Sequence, residues 1–238
     1  VEILKPIWLE KPETARKARI ILWKVLQLGF LRMKAGDTFN PALWKGNLEH
    51  WLPKQKEDIR HQPSLDYREL PEPMKRLKNI KTFGARALEF TILTATQANE
   101  VCMATWQEVE GGVWVIPKER MKGRSDPHRV PWSPQAMRAT EGCRTGKVSI
   151  SGQSGSAGIS ASALLKLVKN LNPEMTVHGF RASFRGWATE ESGAHWRDVE
   201  ACLAHMSKTR VERAYARGDI LEARRRIMEE WADFLEID

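Results

Sequence analysis

The sequence predicts a mainly α-helical protein carrying one small antiparallel β-sheet, an α+β chain. Three observations lead there. Apolar residues recur at helical spacing through most segments between chain breakers, strand-like alternation is confined to two short stretches flanking a basic tip, and a polar, proline-bounded segment divides the chain.

From Pro12 to about Lys34, Ala15, Ala18, Ile21, Leu22, Val25 and Leu28 repeat at helical spacing, with Pro12 suited to a first turn and Gly36 just past the end. An amphipathic helix is expected, with Arg16, Lys17, Arg19 and Lys24 on its other face. Such a row of cations either tracks a DNA backbone or is a solvated face. A short helix is expected over Pro41 to Trp51. The stretch PKQKEDIRHQP from Pro53 to Pro63 reads as a linker, which sets a helical unit over 1–56, a linker over 57–64 and a larger unit over 65–238.

Helical spacing resumes over Tyr67 to Lys78 and Thr82 to Thr94, and Asn99 to Met103 starts a helix leading to Trp106, after which Gly111-Gly112 breaks the chain. Val113 to Pro117 and His128 to Ser133 alternate apolar and polar residues around KERMKGRSD, the pattern of a hairpin with a long charged tip. A further strand is expected near Lys147 to Ser151, followed by the Gly/Ser loop GQSGSAGIS. Helices are then expected at Ala161 to Asn170, near Gly179 to Glu191, at Asp198 to Leu203 and at Ile220 to Leu235, the last with Ile220, Ile227, Trp231 and Phe234 on its apolar face. Trp8, Trp23, Trp44, Trp187 and Trp231 lie among apolar neighbours and are expected in cores; His128 is expected to be structural.

The 238 residues carry a net charge of +8, and residues 1–60 hold 12 Lys and Arg against 7 Asp and Glu. That excess favours a polyanionic partner, because cations that displace condensed counterions from DNA gain their release free energy. Cys102, Cys143 and Cys202 are far apart, without C-x-x-C spacing, so neither a disulfide framework nor a zinc site is expected. No signal-peptide pattern or apolar run near 18 residues appears, and a cytoplasmic, nucleoid-associated protein is expected. The chain begins at Val1, as a fragment would.

Four features follow in order: Lys122 on the hairpin tip, His178-Gly-Phe-Arg181 at a helix start, Ala204-His205-Met206, and Tyr215. Each is common alone. Together they suit a phosphodiester, where catalysis is mostly positioning and neutralisation of non-bridging oxygens. Arg181 supplies a forked, permanently charged donor. His178 and His205 can donate to a phosphate or accept a proton, and Lys122 can protonate a leaving alkoxide. A tyrosine hydroxyl, with a pKa near ~10, is ionised in only about one molecule in a thousand at neutral pH and needs such company to attack. Tyr67, the other tyrosine, has none of it, so Tyr215 is the candidate nucleophile.

At these residues the sequence resembles the tyrosine recombinases, in particular the integrases of prophages and genomic islands. LEFTILTATQANEVCMATWQEVE, VWVIPKERMKGRSDPHRVPWS, HGFRASFRGWATE, CLAHM and ERAYARGDILEARRRIMEEWADFL are similar to successive boxes of that family, and residues 1–56 resemble the final helices of its core-binding domain. The resemblance implies strand cutting through a 3′-phosphotyrosine, without metal or cofactor, and strand exchange in a homotetramer on double-stranded attachment sites. It implies Tyr215 as nucleophile, Lys122 as general acid, His178 as base or phosphate ligand, and Arg181 and His205 completing the phosphate cradle. Arg124 beside Lys122 is a further expected DNA contact, and a directionality factor or a related recombinase an expected partner.

One departure stands out. The family's first box has an arginine three residues before a glutamate, and in Thr96-Gln97-Ala98-Asn99-Glu100 that position is Gln97. A neutral amide replaces a fixed charge with five donors. Three explanations are open: an engineered change, a natural one offset by Arg86 or Arg124, or a degenerate recombinase that binds DNA in a mixed synapse. A type IB topoisomerase shares the tyrosine chemistry but matches the flanking boxes less well.

Overall fold

The structure, a computed structural model, describes residues 1–33, 39–55, 64–121, 126–141, 158–205 and 220–236. The chain divides into two compact units, Val1–Arg60 and His61–Asp238.

In the first unit a short helix α1 (Lys5–Trp8) precedes the long α2 (Pro12–Arg32), which starts with proline at its first turn as the sequence expects. Leu4, Trp8, Ala15, Leu48 and Leu52 form its core, with Ala18, Leu22 and Trp44 packed on it. The Trp8 and Trp44 rings stack at 5.3 Å, and the Trp8 indole donates to the Pro53 carbonyl at 2.7 Å. The expected helix over Pro41 to Trp51 is instead a run of turns ending in one 3-10 turn, Leu48–His50. Gly46, at φ +77°, turns the chain out of helical conformation there. The apolar stripe of α2 is also less buried than its spacing implies: Ile21, Val25 and Leu28 are each 61% exposed. Helix α1 and the segment around Leu48 cover Ala15, Ala18 and Leu22 and leave the C-terminal half of the stripe uncovered.

The second unit is built around α4 (Phe83–Leu93), capped by the Thr82 hydroxyl, which accepts from the Ala85 N–H. Ala85, Ala87, Leu88, Phe90, Thr91, Ile92 and Leu93 are all buried, so this helix is covered on several sides. Helices α3 (Pro71–Lys78), α6 (Pro134–Ala139), α7 (Ala161–Leu171) and the last helix, α10 (Leu221–Phe234), contact it, and α5 (Ala98–Cys102) follows it. Helices α8 (Gly179–Glu190) and α9 (Trp196–Cys202) pack on each other and on α10. The stretch before α3, expected to be helical from Tyr67, begins as a 3-10 turn at Tyr67–Glu69.

The sheet has the order β1-β2-β3, with β1 (Val109–Glu110), β2 (Val113–Ile116) and β3 (His128–Pro131) all antiparallel. Trp114 stands opposite Val130 and Ile116 opposite buried His128. Gly111 and Gly112, read from sequence as a break, take φ of +55° and +74° and make the two-residue turn between β1 and β2. That third strand, two residues long, is too short for alternation to reveal. The strand expected near Lys147 to Ser151 lies outside the described residues. Trp114, Trp132 and Trp231 are fully buried and Trp187 nearly so, while Trp23 is half-buried. No helix among the described residues is long and apolar enough to cross a membrane.

Candidate active site

Arg181 lies in the first turn of α8, and the residues buried around it on that helix are Phe180, Phe184, Trp187 and Ala188. Its guanidinium is pulled into the interior, leaving 4% of the residue exposed. Nη1 donates to the Ala95 carbonyl at 2.5 Å and Nη2 to the Leu203 carbonyl at 2.6 Å. Both acceptors sit at helix ends. Helix α4 ends at Leu93 and passes through Thr94 into Ala95, φ +48°, and α9 ends through Leu203 into Ala204, φ +56°. An alanine in this left-handed region costs about 1 kcal/mol or more, so two strained corners flank one buried cation. Burial lowers the guanidinium pKa, and the carboxylates of Glu100 and Glu200 counter it.

The corner at Ala204 places His205. The Ala204 N–H donates to the Ala201 carbonyl at 3.2 Å and the His205 N–H to the Glu200 carbonyl at 2.8 Å, the paired bonds of a Schellman ending. His205 is thereby wrapped back over Glu200. Its Nε2 is 3.2 Å from Arg181 Nη2 and its Nδ1 is 3.2 Å from Glu200 Oε2. Arginine can only donate, so Nε2 accepts and the proton of the neutral ring sits on Nδ1, facing the carboxylate. Arg185 Nε holds the other oxygen of Glu200 at 2.6 Å. Burial and the Arg181 charge pull the His205 pKa below its ordinary value, and Glu200 opposes them.

His178 immediately precedes α8 and is exposed; its carbonyl accepts the Arg181 N–H at 3.1 Å. With Arg181, Val177, Gln97, Ala98, Asn99 and Ala161 it lines one open cleft. Ala161 is the first residue of α7, so the positive ends of α7 and α8 both border it, which favours an anion. Partial desolvation of the ring and the Arg181 charge lower the His178 pKa from its ordinary value, which favours the neutral form. Gln97 is exposed at the start of α5, and its backbone N–H donates to Glu100 Oε2 at 2.8 Å. The side chain takes the other half of a capping box, accepting from the backbone N–H of Glu100.

Of the residues singled out in the sequence, Gln97, His178 and Arg181 share the cleft and His205 touches Arg181. Lys122, Arg124 and Tyr215 lie outside the described residues. Arg86 does not stand in for the missing arginine: it donates to the Glu141 carbonyl at 2.9 Å and lines a separate cleft with Lys78, Lys81 and Arg138. On α2, Lys17 and Lys24 are exposed, whereas Arg16 pairs with Glu13 at 2.7 Å and Arg19 donates to the Ala42 carbonyl at 3.2 Å. Those four cations therefore do not form one free row. Glu200, Arg185 and the two alanine corners were not legible as site residues. The signal for Glu200, a carboxylate five residues before a histidine, has meaning only once the helix is known to end between them.

No protein-family model matches the chain. It is 32% identical over 195 residues to the prophage integrase IntA of Escherichia coli K12, which covers 76% of this chain and 46% of that protein. It is 30% identical over 210 residues to the integrase of Enterobacteria phage P4, covering 75% of this chain and 46% of that one. The chain spans about half the length of the curated relatives it matches. Among solved structures, a lambda integrase tetramer bound to a Holliday junction superposes with a TM-score of 0.59 at 14% identity, over 82% of this chain and 59% of that one. The Tn1549 transposon integrase, in complex with circular intermediate DNA, gives 0.55 at 15% identity, over 89% and 77%.

Proposed function

We propose that this chain, a member of the tyrosine recombinase family by its sequence relatives and its fold, cuts and rejoins DNA at specific sites to integrate or excise a mobile element. The observation that carries the reading is that Arg181 and His178 share a cleft bordered by two helix N-termini, with His205 in contact with Arg181. That arrangement suits the non-bridging oxygens of a phosphodiester.

In this reading the Tyr215 hydroxyl attacks phosphorus, a 3′-phosphotyrosine forms, and the 5′-oxygen leaves with a proton from Lys122. Neutral His178 accepts the tyrosine proton or binds the phosphate. Arg181 and His205 neutralise charge as it builds on the phosphoryl oxygens. The 5′-hydroxyl of a second strand then displaces the tyrosine, so the bond energy is retained and no cofactor is consumed. The protein works as a homotetramer on double-stranded attachment sites, with Lys17, Lys24 and Arg124 on the DNA backbone.

The experiment is a nicked duplex spanning a junction between the mobile element and the chromosome. A covalent protein–DNA adduct should form and be absent in Tyr215→Phe. Gln97 favours a second reading, a DNA-binding partner without efficient cleavage in a mixed synapse. Sequence-specific binding of the same duplex with no adduct at any protein concentration would select it.

A further inference from the structure

We propose that Glu200 is the positioning residue of His205: clamped by Arg185, it fixes the ring with its Nδ1 proton on the carboxylate and its Nε2 turned to Arg181, and it sustains the ring's charged form once a phosphate arrives. The inference rests on the recombinase reading for its consequence and on the geometry of the free protein for its content.

The chain of contacts is continuous. Arg181 Nη2 meets His205 Nε2 at 3.2 Å, His205 Nδ1 meets Glu200 Oε2 at 3.2 Å, and Glu200 Oε1 meets Arg185 Nε at 2.6 Å. The Glu200 side chain is 16% exposed, whereas those of His205 and Arg185 are 46% and 60% exposed. The carboxylate is therefore the most buried member, held on one oxygen by Arg185 and facing His205 with the other. A ring without that partner could turn over and present Nδ1 to Arg181 instead.

The arrangement has a consequence for charge. With Nε2 accepting from Arg181, His205 has no proton to give a phosphate. To donate there, Nε2 must take one proton from solvent, which leaves an imidazolium with Nδ1–H on Glu200 and Nε2–H on the phosphoryl oxygen. Two cations, Arg181 and His205, then face one anion, and the Glu200 charge behind the ring offsets their repulsion. Arg181 and Arg185 on α8 and Glu200 on α9 are the charged groups that face His205 among the described residues. Site loading should thus be accompanied by proton uptake at His205.

The test is a nitrogen-15 NMR titration of the histidine side chains in the full chain, with no DNA. In the wild type His205 should be the Nδ1–H tautomer. Glu200→Gln removes the anion, so the His205 pKa should fall and the tautomers should mix. Arg185→Gln removes an opposing cation at an exposed position, so the pKa should rise. Opposite signs from the two variants are not the mark of a merely structural ion pair. An Nε2–H tautomer in the wild type, or a pKa unmoved by both variants, overturns the proposal. On the nicked duplex, Glu200→Gln should slow adduct formation roughly 10- to 100-fold and move the alkaline limb of the pH profile to lower pH. If the NMR results hold and the wild type forms no adduct, the recombinase reading fails and the assignment of Glu200 stands. If adduct forms equally in wild type and Glu200→Gln and the pKa does not move, the reading stands and the assignment fails.

Discussion

The indole N–H of Trp231 donates to the carbonyl of Ile92 at 3.0 Å, and that same carbonyl accepts the N–H of Ala95 at 3.2 Å. The last helix is therefore fastened to the corner whose next carbonyl holds Arg181. Trp231 is fully buried among Phe184, Trp187 and Phe234. Trp231→Ala should cost about 3–5 kcal/mol of stability. Trp231→Phe, which keeps most of the packing and loses the hydrogen bond, should cost about 1–2 kcal/mol. Urea denaturation measures both; equal, small losses would show that α10 contributes little to holding the corner.

Gln97→Arg should raise adduct formation on the nicked duplex by up to about a thousandfold, the scale of one charged donor aimed at a phosphoryl transition state. Stability should fall by no more than about 1 kcal/mol, because position 97 is exposed and arginine keeps the backbone N–H contact with Glu100 while giving up the side-chain half of the capping box. Equal rates in the two forms would mean that the clamp is completed by another group.

Ala204→Gly should stabilise the protein by about 0.5–1 kcal/mol, since φ of +56° at a helix end strains alanine and not glycine. Ala204→Val should destabilise it by more than that. The pair separates backbone strain from loss of a methyl contact, which would make glycine the worse of the two.

His178 and His205 both have folded pKa values below the ordinary histidine value, through burial and the Arg181 charge. The unfolded chain therefore binds more protons than the native one in the interval below about pH 6.5. Their contribution to stability is complete above that pH and lost as the pH falls through the folded values. Replacing both with Gln should flatten the dependence of the urea midpoint on pH between 5 and 6.5; an unchanged slope would refute the assignment.

Arg181→Lys should lose most adduct formation and also destabilise the fold by about 1–3 kcal/mol, because the forked guanidinium that reaches the Ala95 carbonyl with Nη1 and the Leu203 carbonyl with Nη2 is replaced by a single compact ammonium. Loss of adduct at wild-type stability would mean that those two bonds add nothing to folding.

Much of the architecture was legible in the sequence because its helices are amphipathic and bounded by residues with clear roles: Pro12 opens α2, Thr82 caps α4, and Trp231 and Ile227 mark the buried side of α10. Errors fell where local signals compete. Pro41 to Trp51 has helical composition, and Gly46 overrides it. The stripe of α2 has the right period, and what covers it is a tertiary matter that period does not encode. At the site, residue types with distinctive chemistry pointed to His178, Arg181 and His205. The acceptors of Arg181 were invisible because a backbone carbonyl has the same letter-independent identity everywhere.

That invisibility has a practical corollary. A cradle made of the Ala95 and Leu203 carbonyls is indifferent to which side chains those residues bear, provided the chain follows the same path. The side chains matter to that path rather than to the chemistry: Ala95 and Leu203 are each 1% exposed in the core and Ala95 holds φ +48°, so large or β-branched replacements there should lower stability first and DNA cleavage only as a consequence. Adding or deleting a single residue between Leu93 and Gln97, or between Cys202 and His205, would rotate an acceptor away and abolish it. For anyone grafting segments between integrases, the loop lengths at these two corners are the quantity to preserve.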